Sequence, residues 1–254
     1  MLSLIPLTGI PIVQPGDDLG QLIVQALART DGGITLHDED ILVVTQKVVS
    51  RAEGRFVALR SVQPSPQACE LAARTGKDAR LVEVMLWDTA EVVRVAPRVI
   101  LVRHRLGFVC ANAGVDASNV AEPEAEMVLR LPADPDRSAQ QLRARIRELT
   151  GAAPAIVISD SHGRPWREGI VGVAIGIAGL QPVQDLRGVP DLFGRPLQIT
   201  TVGFADQIAA AASLVSGQAH EGLPVVLVRG LSYQRDETAS ARALLRPPES
   251  DLFR

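Results

Sequence analysis

Two short stretches of this 254-residue chain carry side chains suited to metal and phosphate chemistry. In the first, an apolar run, Ala155-Ile156-Val157-Ile158, stops at Asp160-Ser161 and continues as His162-Gly163-Arg164-Pro165-Trp166-Arg167-Glu168-Gly169. A short continuous apolar run reads as a buried strand. Its end delivers a carboxylate, a hydroxyl and two guanidiniums into what reads as one loop. Carboxylate and hydroxyl oxygens suit a hard divalent cation, and arginines clamp carboxylate or phosphate oxygens in pairs. The second stretch, Asn112-Ala113-Gly114-Val115-Asp116-Ala117-Ser118-Asn119-Val120, follows another short strand and offers Asp116 as a second carboxylate. Singly, each Asp reads equally as a turn or capping residue, and Arg164 and Arg167 as surface ion-pair partners. Together, two strand-end loops that each bring an Asp point to a shared metal-phosphate site.

Two further segments offer ligands. Thr45 to Arg55 follows the strand-like run Ile41–Val44 and presents Lys47 and Arg51, either to anionic oxygens or as the start of a solvated amphipathic helix. Ser216-Gly217-Gln218-Ala219-His220-Glu221-Gly222-Leu223 reads as a helix C-cap and connection, in which Gln218 could lend a carbonyl oxygen to a metal.

The elements that must position these residues follow from periodicity. Strand-like runs lie at 41–44, 99–102, 108–110, 155–158, 197–202 and 225–228, mixed with helical patterns rather than strictly alternating with them. That mixture predicts an α+β fold with mixed sheets and flanking helices. Helices are predicted over 138–150, with Ser138 and Gln141 as a capping box and Gly151 as terminator, over 206–216, and over 64–76 behind a Pro-Ser-Pro turn. The domain is predicted to span 1–245, and residues 246–254, with Pro247-Pro248, read as a tail or linker.

Composition narrows the classes. A net charge of −3 and a pI near 5.8 argue against binding nucleic acid through a basic surface. No run approaches the roughly 20 apolar residues needed to cross a bilayer, and the N-terminus lacks a signal-peptide pattern. Cys69 and Cys110 are isolated, so neither a zinc knuckle nor a disulfide framework is indicated, and a reduced, cytoplasmic setting is the default. There is no phosphate-loop motif, no G-x-G-x-x-G, no H-E-x-x-H and no G-x-S-x-G elbow. Gly172, Gly176 and Gly179 read as positions of tight packing.

Six collinear segments resemble the coenzyme F-420-0:L-glutamate ligase family: Gly9-Ile10-Pro11, Gly16-Asp17-Asp18, Lys47 to Arg55, Ala113 to Asn119, Asp160 to Arg164, and Ala205-Asp206-Gln207-Ile208-Ala209-Ala210. The match runs in order from Leu7 to about Gly230. The resemblance implies a two-lobed fold in an intertwined homodimer. The activity it implies is a GTP-dependent ligase that adds L-glutamate to the lactyl-phosphate carboxylate of coenzyme F-420-0, and then γ-linked glutamates. Two Mg2+ or Mn2+ ions, often with K+, are implied as well. Carried over by motif, Asp116 and Asp160 would bind one metal, and Ser161 and Gln218 the other. GTP would be held by Ile10, Pro11, Ile12, Val13, Gln46, Arg51 and Asn119, with the loop from Ser216 through Gly217, Gln218, Ala219, His220, Glu221 and Gly222 to Leu223. Arg164 and Arg167 are the candidates for gripping the anionic coenzyme or the carboxylates of glutamate.

The chain departs from the family at Ser161 (often Thr), Arg51 (often Lys), Gln207 (usually an acid) and Ser216 (usually Met). Some bacterial members continue into a nitroreductase-like flavin domain, so the chain is either stand-alone or a fragment. Rival expectations are a non-catalytic deazaflavin-binding or carrier module, which would keep the arginines but need no divalent metal, and an amide ligase with another acceptor.

Overall fold

The computed structural model describes residues 1–120 and 125–251. In chain order the first half holds β1 (Ser3–Pro6), α1 (Leu19–Arg29), β2 (Ile41–Thr45), α2 (Gln46–Ala52), β3 (Phe56–Ala58), α3 (Pro66–Thr75), α4 (Ala79–Trp87), β4 (Thr89–Ala96), β5 (Val99–His104) and β6 (Val109–Ala111). The second half holds β7 (Met127–Leu129), α5 (Pro135–Thr150), β8 (Ala155–Arg164), β9 (Arg167–Ala178), β10 (Val183–Asp185), β11 (Thr201–Gly203), α6 (Phe204–Ser216) and β12 (Val225–Arg229). The fold is α+β. A five-stranded mixed sheet, ordered β1-β12-β2-β8-β9, is joined by three small antiparallel sheets: β10-β11, β3-β7 and β4-β5-β6.

The apolar runs of β2, β8 and β12 are continuous rather than alternating because helices cover both faces of the large sheet. Leu42, Val44, Ile156, Ile158, Val225 and Leu227 pack on one face beneath α1, α2 and α5. Ile41, Val43, Ala155, Val157, Val226 and Val228 pack on the other, beneath α6. A separate core lies under α3, α4 and β5, and Phe108 packs against both it and the first. The tight-packing glycines act as predicted. A Cβ on Gly172 would come 2.5 Å from the Ala209 carbonyl oxygen of α6, and one on Gly176 would collide with the Pro135 carbonyl of α5.

The helix over 64–76 forms as α3, with the Ser65 hydroxyl capping Ala68 and Pro66 in the first turn. The predicted Ser138 capping box does not form. α5 starts three residues earlier, at Pro135, which pre-sets the first turn, and is capped by Asp134, whose carboxylate accepts from the Arg137 amide. Ser138, now inside the helix, donates instead to Glu53. The predicted strand 197–202 shrinks to Thr201–Gly203, because the chain before it meets its partner only through isolated contacts.

The largest departure concerns the loop expected after Ile158. The strand does not end at Asp160-Ser161. β8 runs on to Arg164 and turns at Pro165-Trp166 into β9, pairing Asp160 with Val173 and Ser161 with Gly172. Polar residues continue the strand because β9 supplies the ladder and one face borders a cleft. Apolar patterning cannot see such an extension. Of the predicted tail, 246–251 includes a short 3-10 turn, Pro248–Ser250, and residues 252–254 lie outside the described part. Among the described residues, no helix is long and apolar enough to cross a membrane.

Candidate active site

β2 and β8 run parallel, with Thr45 paired to Ser159. A cleft opens at the carboxyl ends of such strands, where open α/β sheets characteristically take ligands. It has a volume of about 1300 Å3. Its walls contain Ile10, Pro11, Ile12, Val13, Gln46, Arg51, Asp116, Asn119, Asp160 and Ser161, together with the whole segment from Ser216 to Leu223. Every residue predicted to touch nucleotide or metal is therefore gathered in one place, from five separate parts of the chain.

The floor is set by α2, which begins where β2 ends. Gln46, Ser50 and Arg51 are buried, so the alternative of a solvated helix start is excluded. Ser50 Oγ donates to Gln46 Oε1 at 3.0 Å, which orients the amide so that Gln46 Nε2 donates to Asp116 Oδ2 at 2.9 Å. Asp116 is fixed from behind by two backbone bonds to Leu129 of β7. Lys47 Nζ stands 3.4 Å from the same carboxylate oxygen and donates to the Ser118 carbonyl at 3.0 Å. Burial pushes the Asp116 carboxyl above the usual range and the Asp160 charge adds to that, while the Lys47 ammonium opposes both.

Arg51, in the wall of the cleft, spends two of its nitrogens on backbone carbonyls. Its Nε donates to the Val13 carbonyl at 2.7 Å and its Nη1 to the Val120 carbonyl at 2.8 Å, while the guanidinium lies over the Phe56 ring. It ties two walls of the cleft together. Asn119 Nδ2 extends the tie to the Ala219 carbonyl at 2.9 Å. Ser161 Oγ donates to Gln218 Oε1 at 2.9 Å, which brings the second pair of candidate ligands into contact.

Asp116, Asp160, Ser161 and Gln218 form an all-oxygen donor set of two carboxylates, a hydroxyl and an amide carbonyl. Among the described residues, no group of three or more His, Cys, Asp or Glu side chains could hold a metal. An ion bound here would take two protein carboxylates at most and complete its shell with other oxygens. That suits Mg2+ or Mn2+ shared with a polyphosphate, and not zinc.

Arg164 and Arg167 lie elsewhere. They flank the tip of the β8-β9 hairpin, are exposed, and do not line the cleft; Arg164 donates to the Glu168 carbonyl at 3.0 Å. Residue patterns alone undervalued Lys47 and gave no hint of Phe56. The one available signal was that Lys47 is one of only two lysines in an arginine-rich chain.

Comparison with known proteins agrees with this geometry. The sequence profile described as F420-0:gamma-glutamyl ligase matches residues 9–230. The chain is 48% identical over 254 residues to the coenzyme F420:L-glutamate ligase of Methanothermobacter thermautotrophicus, covering 100% of this chain and 99% of that protein. It is 49% identical over 245 residues to the protein of the same name from Methanopyrus kandleri (95% and 93% covered). It is 42% identical over 253 residues to that from Archaeoglobus fulgidus (100% and 96% covered). With a match along nearly its whole length, the chain belongs to the F420-0:gamma-glutamyl ligase family.

Proposed function

We propose that this protein is a GTP-dependent ligase that joins L-glutamate to the carboxylate of coenzyme F420-0, further γ-linked glutamates following by the same chemistry. The observation that carries the reading is the convergence of Asp116, Asp160, Ser161 and Gln218 at the ends of β2 and β8, in a cleft large enough for a nucleotide.

A carboxylate does not acylate an amine unaided, because its oxide is a poor leaving group. In this reading GTP transfers its γ-phosphoryl group to a carboxylate oxygen of the coenzyme and GDP departs. The glutamate amine then attacks the acyl carbon, the bond to phosphate breaks, phosphate leaves with the electron pair, and the amine gives up a proton. Two Mg2+ or Mn2+ ions at the four oxygen ligands, with K+ as an additional ion, would neutralise the triphosphate and the charge that develops during transfer. The protein's own part is placement. Gln46 and the Leu129 backbone hold Asp116 in line, Arg51 and Asn119 hold the walls from Ile10 to Val13 and from Ser216 to Leu223 around the nucleotide, and Lys47 stands beside Asp116 within the cleft. Arg164 and Arg167, outside the cleft, are assigned to the anionic coenzyme.

A homodimer belongs to the same reading. Its support is the large apolar side chains left exposed, Leu192, Phe193 and Ile199. Phe193→Asp is expected to shift sedimentation from dimer to monomer. A cytoplasmic setting is supported by the two unpaired cysteines.

The test is a GDP-release assay with F420-0, L-glutamate, GTP and Mn2+, each omitted in turn, with the product weighed by mass spectrometry. GDP release that needs all four, with a gain of glutamyl mass, establishes the ligase. Tight coenzyme binding with no turnover would replace this reading with a carrier.

A further inference from the structure

A second cavity, of about 830 Å3, lies along the outer edge of β9, between the first turns of α5 and α6. β9 is the last strand of the large sheet, so its outward N–H groups need partners. Asp206, at the start of α6, supplies one: Oδ1 accepts from the Ala174 amide at 2.9 Å, and Oδ2 has no recorded donor. The Asp206 carboxyl is pushed above the usual range by burial. On the rim, Arg137 and Arg242 line the cavity and are exposed, and neither forms an ion pair among the described residues.

Deeper in, His104 is 2% exposed and stacks on Phe108. Its Nδ1 accepts from the Leu106 amide at 3.0 Å, and burial holds the imidazole neutral, its pKa pushed down to about 4. The proton therefore sits on Nε2, and that N–H is the one buried side-chain polar atom without a partner among the described residues. Buried donors are rarely left idle. The cavity also abuts the metal-ligand cluster: His162 lines it and bonds Asp160 Oδ2 through Nε2 at 3.0 Å, Asp160 lying in the wall of the cleft.

We propose that this second cavity is the seat of the amino-acid co-substrate, an L-amino dicarboxylate: Arg137 and Arg242 receive its carboxylates, the His104 N–H meets a carboxylate oxygen, and Asp206 receives its amino group. The proposal rests on the ligase reading above and adds the place where glutamate binds. Of the other carboxylates lining this cavity, Asp88 is paired with Arg105 and Arg130, Asp134 caps α5 and Asp136 accepts from Ile177, Ser240 and Ala241, so the charges left open are Asp206, Arg137 and Arg242. The larger cleft, with Ile10, Ile12, Val13 and Phe56 in its walls, suits the flat, extended nucleotide and coenzyme better. A zwitterion with one cationic end and two anionic groups matches the smaller cavity.

The test uses the full chain and two variants. Arg137→Ala with Arg242→Ala removes rim side chains with no recorded ion pairs, so the fold is expected to stand; Asp206→Asn keeps a carbonyl acceptor for Ala174. Both are expected to raise the KM for L-glutamate at least tenfold, with the KM for GTP and for F420-0 within twofold of wild type. Unchanged glutamate KM in the arginine double variant, or a matching rise for GTP, overturns the proposal while leaving the ligase in place. Saturation-transfer NMR with L-glutamate alone reads binding without turnover. Signal in the wild type and loss in the arginine variant supports the site even if the ligase assay fails; no signal in the wild type, or full signal in the variant, overturns it.

Discussion

The root and the tip of the β8-β9 hairpin belong to one ladder yet behave as different materials. At the root, Ile156 to Ile158 are buried between β2 and β9, α6 presses on Gly172, and Asp160 and Ser161 stay in the ladder, their positions set by paired backbone while they line the cleft. At the tip, from Gly163 to Gly169, every residue is exposed. A site that is to hold a cation, as the proposed function requires, needs its oxygens placed to a fraction of an ångström, and the root offers that rigidity where the tip does not. Guanidiniums at the tip can grip a ligand only after something else has brought it there.

The largest effect expected from this contrast is at the root. Asp160→Ala should lower ligase turnover by at least about 100-fold while leaving the melting temperature within a few degrees of wild type, since the ladder does not depend on that carboxylate. Full activity in that variant would erase the distinction between root and tip.

Next comes acid stability. His104, stacked on the Phe108 ring that also touches His162, titrates near 6.5 when unfolded and at about 4 in the fold. Between those values the unfolded chain binds more protons, so the contribution is whole above pH 6.5 and is lost as the pH falls toward 4. The loss is about 3 kcal/mol, read as a fall in denaturation midpoint that His104→Gln should largely abolish.

Gly172→Ala should cost about 1–3 kcal/mol, because the new methyl meets the Ala209 carbonyl and must push α6 off the sheet. Chemical denaturation of that variant against Gly163→Ala at the tip, where an added Cβ meets nothing within 4 Å, would sharpen the contrast. The smallest structural effect is expected from Arg164→Ala with Arg167→Ala, within about 0.5 kcal/mol of wild type. Under the proposed function this variant raises the KM for F420-0 and leaves that for GTP alone, and a raised GTP KM would place the tip inside the nucleotide site.

Much of this was legible beforehand. The runs at 41–44, 155–158 and 225–228 are strands of the central sheet, because apolar residues that must be buried on both faces leave an unbroken signature. The helix over 64–76 was readable from its proline and serine cap and its terminal glycine. What escaped were features whose signal lies in another part of the chain. The polar half of β8 is a strand only because β9 pairs with it, and α5 begins at Asp134 because that residue, rather than Ser138, holds the capping geometry. Arg51 reads as an anion ligand by its charge, and no local pattern showed that its Nε and Nη1 also bond the carbonyls of Val13 and Val120, one far upstream and one far downstream.

The sequence by itself determined which chemistry was available: candidate oxygen donors at Asp116, Asp160, Ser161 and Gln218, a mixed α+β chain to carry them, and a resemblance to one family of ligases. These are local properties, written in residue type and order. Tertiary structure decided which residues meet, which charges stay open to a ligand and which are committed to backbone. It put five segments around one cleft, turned Arg51 into a tie between walls, sent Arg164 and Arg167 to an exposed tip, and opened a second cavity beside Asp206 and His104. The reason is physical. Desolvation and hydrogen-bond partnership depend on distances between residues far apart in the chain, and those distances exist only once the sheet has formed and the helices have closed over it.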